Sequence, residues 1–103
     1  MKMPNLELAS HFLDAVPKDK CFSCEDGFIF TNLEDLAGGL NSMKVATFKY
    51  HVNSEKNDFC TWVYDVIGDI DLANTLRSCK EKKAAAKLVR KRIDDLKKLV
   101  RKP

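Results

Sequence analysis

Cys21 and Cys24 stand three apart in KCFSCEDG, the spacing of half a zinc site or of a redox dithiol. Zinc asks for four nitrogen or sulfur ligands in a tetrahedron. Cys60 and His51 would complete one with the pair, but they lie far along the chain and no spacing asks for them. A redox pair needs its second cysteine to enter a helix whose dipole lowers the thiol pKa. A turn and an apolar strand follow Cys24 instead, so both cysteines read best as small apolar residues of a hairpin. His51 and Asp58 have the types of an acid–base pair. No motif places a Ser or Cys nucleophile beside them, and the simpler expectation is that His51 ties a turn by donating to Asn57 or Asp58. Phe48, Tyr50, Phe59 and Trp62 have the rings to stack on a ligand or on bases. Phe59, Trp62, Val63 and Val66, however, follow the helical repeat, which points to a core. No nucleophile, base and oxyanion donor can be assembled, so no enzyme and no cofactor are expected.

The remaining chemistry is electrostatic. Residues 1–79 hold 7 Lys and Arg against 12 Asp and Glu, a net charge of −5; residues 80–103 hold 11 against 3, a net +8. Lys83, Lys87, Arg90, Lys91, Lys97, Lys98 and Arg101 crowd the polar side of one stretch. Such a surface releases counterions from a nucleic acid or meets an acidic protein. Asp94 and Asp95 interrupt it and weaken the nucleic-acid reading. The plain alternative is a solvated helix face, with its cations favoured near the C-terminus by the helix dipole.

The elements that must carry these residues follow from periodicity. Pro4-Asn5 opens a helix with Leu6, Ala9, Phe12, Leu13 and Val16 on one face, closed by Pro17. Glu25-Asp26-Gly27 between CFSC and FIF predicts a two-stranded hairpin over residues 20–30. Thr31 to Glu34 reads as a capping box for a short helix with Leu33, Leu36 and Ala37 inward. Ser42 is expected to cap a helix over 43–52, with Met43, Ala46, Thr47 and Tyr50 on one side and Val45, Phe48 and Val52 on another. Asn57 or Ser54 starts the next helix, which Gly68 ends. Asp69 caps a further short helix burying Ile70, Leu72, Ala73 and Leu76. Ser78 to Glu81 reads as a second capping box opening the long basic amphipathic helix 79–101, whose stripe is Ala85, Leu88, Val89, Ile93, Leu96 and Val100.

The segments GFIFTNLEDLAGGL and FKYHVNSEKNDFCTWVYDVIGDIDLA resemble a small prokaryotic, often archaeal, domain family of unknown function. The resembling positions are Phe48, Tyr50, His51, Val52, Asn57, Asp58, Phe59, Trp62, Gly68, Asp69, Leu72 and Ala73, within residues 20–80. The resemblance implies a compact helical domain with no established activity, and Cys21 and Cys24 lie outside its pattern.

The fold expected is mainly α: one domain over 1–103, a compact bundle of about six helices with a small β-hairpin. With 45% apolar and 32% charged residues the chain is globular rather than disordered. No apolar run approaches the roughly 20 residues of a membrane helix, and Glu7, His11 and Asp14 break up any signal-like apolar stretch. A cytoplasmic protein with reduced thiols is expected. The function expected is a noncatalytic, adaptor-like interaction module. Its contact is the basic helix, through Lys83, Lys87, Arg90, Lys91, Lys97, Lys98 and Arg101, to a protein partner or to a second copy. Nucleic-acid binding by the same helix is the first alternative, and a zinc- or thiol-dependent role for Cys21 and Cys24 the second.

Overall fold

Six helices and one hairpin follow one another along residues 1–101, the residues that the computed structural model describes. Helix α1 spans Leu6–Leu13, with the Asn5 side chain accepting the Leu8 N–H at 2.9 Å. It ends four residues before Pro17, because the Asp14 N–H turns back to His11 O and the chain leaves through Val16 N–H to Thr31 O. Ala9 and Phe12 therefore face inward while Leu6 lies exposed.

Strand β1 (Phe22–Ser23) pairs antiparallel with β2 (Ile29–Phe30), Phe22 opposite Phe30. Gly27 takes a left-handed φ of 94° in the turn, and Asp26 accepts the Phe28 N–H, as the Glu25-Asp26-Gly27 signal predicts.

Helix α2 spans Leu33–Ser42, but its cap is one residue later than expected. Asn32, not Thr31, accepts the Asp35 N–H at 2.8 Å, and Asp35 reaches back to the Thr31 N–H and hydroxyl. Glu34 is thereby released for long-range contacts. Ser42 belongs to α2, donating to Gly38 O, and does not cap α3 (Val45–His51). Thr47, Phe48 and His51 form the buried face of α3, whereas Tyr50 and Val45 are exposed, contrary to the expected packing.

Helix α4 (Asp58–Trp62) starts at the Asn57 cap and widens into a π-helical turn over Val63–Ile67, where a regular α-helix is expected from the repeat. The Gly68 N–H closes that turn on Val63 O at 2.8 Å, with Gly68 left-handed at φ 86°. Helix α5 (Ile70–Leu76) is capped by Asp69, and Ile70 stays exposed. Helix α6 (Lys82–Arg101) begins three residues beyond the predicted start, because the Ser78 hydroxyl is used at the end of α5, on Thr75 O.

Helix α6 packs against α2 and α1 rather than projecting, and α4 and α5 pack together and with the π turn. Lys82 Nζ donates to Leu40 O and Asn41 O at the C-terminal end of α2, while Arg90 and Lys97 reach Glu34 near its start, so α6 runs antiparallel to α2. One continuous apolar core runs through all of these elements. Its fully buried Phe, Leu, Ile and Val side chains contribute roughly 1.5–3 kcal/mol each. No helix among the described residues is long and apolar enough to cross a membrane.

Candidate functional site

The aromatic stretch and the basic helix lead to different kinds of place. Trp62 is 6% exposed and its indole N–H donates to Lys20 O at 2.8 Å. Phe22, which sequence periodicity does not single out, is the hub of the ring cluster. Its centroid lies 5.1 Å from those of His51 and Phe59, 5.6 Å from Phe30 and 6.0 Å from Trp62. The rings dock the hairpin on α3 and α4.

His51 sits at the edge of this cluster. The Glu25 N–H donates into its Nε2 at 3.0 Å, so Nδ1 carries the ring proton and donates to Asp58 Oδ2 at 2.9 Å. Asp58 also accepts from Lys56 at 2.8 Å. Burial pushes the Asp58 carboxyl up, but the hydrogen bonds from Lys56 and His51 outweigh it and hold the group below its ordinary value. Cys24 Sγ lies 3.7 Å from His51 Nε2, completing a Cys–His–Asp line that no local pattern announces, since the residues are 27 apart. The Nε2 lone pair already accepts the Glu25 amide, and burial pushes the Cys24 thiol up, away from the reactive thiolate. The arrangement ties the hairpin turn to the α3–α4 corner.

The cysteines considered for a metal are not brought together. Cys21 Sγ faces Pro17 O, Cys60 Sγ donates to Ala73 O, and only Cys24 meets His51. Among the described residues no group of three or more His, Cys, Asp or Glu converges as a metal site.

The basic helix divides into three parts. Arg90 and Lys97 pair with Glu34, at 3.0 and 2.5 Å; Lys97, then burial, then Arg90 set its carboxyl, and the two cations win, holding it below its ordinary value. Lys91 pairs with Asp95 one turn on, at 3.1 Å. Lys83, Lys87 and Lys98 have no ion-pair partner among the described residues, and Arg101 is exposed at the end of the helix. Periodicity missed Arg92. It lies 1% exposed inside the apolar stripe, with Nε and Nη2 each 2.8 Å from the two oxygens of the equally buried Asp69. Its Nη1 donates to Lys2 O.

Lys83, Lys87 and Lys98 line a groove of about 670 Å3 between α6 and the outer face of α2. Its floor is Ala37, Gly38 and Ala86, and Asp94 stands in the same wall as the lysines. Five of the seven sequence-predicted contact residues line it, Lys83, Lys87, Arg90, Lys91 and Lys98, whereas Lys97 and Arg101 do not. No family model, curated protein or solved structure matches the chain.

Proposed function

We propose that the protein is a noncatalytic interaction module that binds an acidic macromolecule in the groove between α2 and α6. The observation that carries this reading is the line of Lys83, Lys87 and Lys98, without ion-pair partners among the described residues, bordering a groove floored by the small residues Ala37, Gly38 and Ala86. Other cations are held by the fold itself: Lys82 on α2 carbonyls, Arg90 and Lys97 on Glu34, Lys91 on Asp95 and Arg92 on Asp69. The reading places the module in a reducing, cytoplasmic setting, in keeping with four free cysteines.

The test titrates labelled poly-L-glutamate and a labelled DNA duplex of about 20 base pairs into the protein by fluorescence anisotropy, at about 50 and 200 mM salt. At least one polyanion binds, weakens as salt rises, and is lost when Lys83, Lys87 and Lys98 are together changed to Glu. Absence of binding by both at the lower salt, and by the acidic helical peptide described below, overturns the proposal.

A further inference from the structure

Two adjacent glycines on α2 have opposite surroundings. A Cβ on Gly39 would run into the Phe30 ring, so that glycine is required by the hairpin packing on the helix. A Cβ on Gly38 would meet nothing within 4 Å, and Gly38 has no left-handed φ. Glycine inside a helix is destabilising relative to alanine. Nothing in this chain's own packing asks for Gly38. A bare Cα on an open helix face lets a second backbone come close, and here that face is the floor of the cationic groove.

The groove also has a length and a charge pattern. Lys83 to Lys98 are fifteen residues apart on α6, about 22 Å at the helical rise of 1.5 Å per residue. Lys83 and Lys87 are one turn apart, Asp94 follows about two turns later, and Lys98 one turn after that; Arg90 and Lys91, which also line the groove, are held by Glu34 and Asp95. The phosphates of a nucleic acid strand following this line would set one negative charge against Asp94. A protein helix has the same repeat as α6 and carries carboxylates at Lys83, Lys87 and Lys98 and a cation at Asp94 without conflict.

Resting on the groove reading above, we infer that the occupant is an acidic amphipathic α-helix of a partner protein. It lies along α6 with its apolar side chains on Ala37, Gly38 and Ala86, and with its carboxylates against Lys83, Lys87 and Lys98. The groove supplies a floor of small residues, with open space above Gly38, and the lysines; the partner supplies bulky aliphatic side chains at helical spacing flanked by Glu or Asp. Binding of this kind reads one face of a helix, so it is sensitive to whether the ligand is helical, which attraction to charge alone is not.

The experiment measures anisotropy with a labelled peptide of roughly 18 residues, long enough to span the groove. It carries Leu at i, i+4 and i+7, Glu on the flanks and one Lys placed for Asp94. The comparison ligands are the same peptide with proline at its centre and a DNA duplex of about 20 base pairs. The helical peptide binds about tenfold or more tightly than the proline peptide and the duplex. Gly38→Leu, which fills the floor, and Lys87→Glu, which reverses one wall charge, each weaken it by about tenfold, with folding of both variants checked by circular dichroism. Equal binding of the proline peptide, tighter binding of the duplex, or indifference to both substitutions overturns the inference. A chain that dimerises on its own through Gly38, as seen by sedimentation, overturns it as well. If the duplex or poly-L-glutamate binds and the helical peptide does not, the inference alone fails. If none of the ligands binds, the groove reading fails with it.

Discussion

Replacing Arg92 by methionine removes the guanidinium from the middle of the core and keeps most of its aliphatic length. In the native fold Arg92 gives Asp69 two hydrogen bonds of 2.8 Å and gives Lys2 O a third. Both side chains of the pair are 1% exposed, so water cannot take over when one leaves. Asp69 keeps only the Leu72 N–H, at 3.2 Å, as compensation. Removing one partner of such a pair costs about 3–5 kcal/mol, because the remaining charge stays buried. That is a large share of the roughly 5–15 kcal/mol that holds a domain together. In a domain of this size each kcal/mol lowers Tm by about 4–8 °C, so Arg92→Met lowers it by at least about 12 °C. Urea unfolding followed by circular dichroism reads the same loss as a fall in midpoint. Asp69→Asn keeps a cap for α5 while removing the stranded charge. The double variant therefore loses less than the sum of the two single variants, by about 1 kcal/mol or more. Lys98→Met, on the exposed face, stays within about 0.5 kcal/mol of the wild type. A loss below about 1 kcal/mol for Arg92→Met would refute the reasoning, since no buried ion pair with this geometry is that weak to break.

Gly38→Ala stabilises the protein by about 0.5–1 kcal/mol, whereas Gly39→Ala, whose Cβ meets the Phe30 ring, costs about 1–3 kcal/mol; urea midpoints of the two variants must move in opposite directions. Glu34 and Asp58 are held below their ordinary values of 4.5 and 3.8, so their stabilisation is complete above those values and is lost as falling pH protonates them in the fold. Glu34→Gln flattens that acid limb, and an unchanged acid limb counts against the Lys97 and Arg90 pairing. With Ellman's reagent the partly exposed Cys21 reacts before Cys24 and Cys60, which are buried; equal rates for Cys21 and Cys24 would contradict the closed hairpin corner.

The parts of the fold written in local chemistry were legible in the chain. Glu25-Asp26-Gly27 placed the hairpin turn, Asn57, one of two candidates with Ser54, the start of α4, Gly68 the end of the π turn that continues it and Asp69 the cap of α5, because each acts on backbone groups within a few residues. What escaped depends on partners far along the chain. Thr31 and Asn32 both offer a cap and Glu34 and Asp35 both offer a carboxylate. The choice fell on Asn32 and Asp35 while Lys97 and Arg90, more than fifty residues away, took Glu34. Arg92 falls in phase with Val89 and Leu96, a signal that a charge enters the core, but the chain does not say that Asp69 waits there. The Cys24–His51 contact likewise joins two segments with no shared spacing. For the candidate site, the basic face was visible as a composition shift. Which lysines the fold consumes and which border the groove depends on how α6 lies across α2.

The groove is tested most directly by amide chemical shifts of the labelled protein as the acidic helical peptide is added. The expected map is continuous: Ala37, Gly38 and Asn41 on α2 move together with Lys83, Lys87 and Lys98 on α6, and the hairpin around Gly27 stays still. Shifts confined to the hairpin or to the α4–α5 side, with Gly38 unmoved at saturation, would contradict the account.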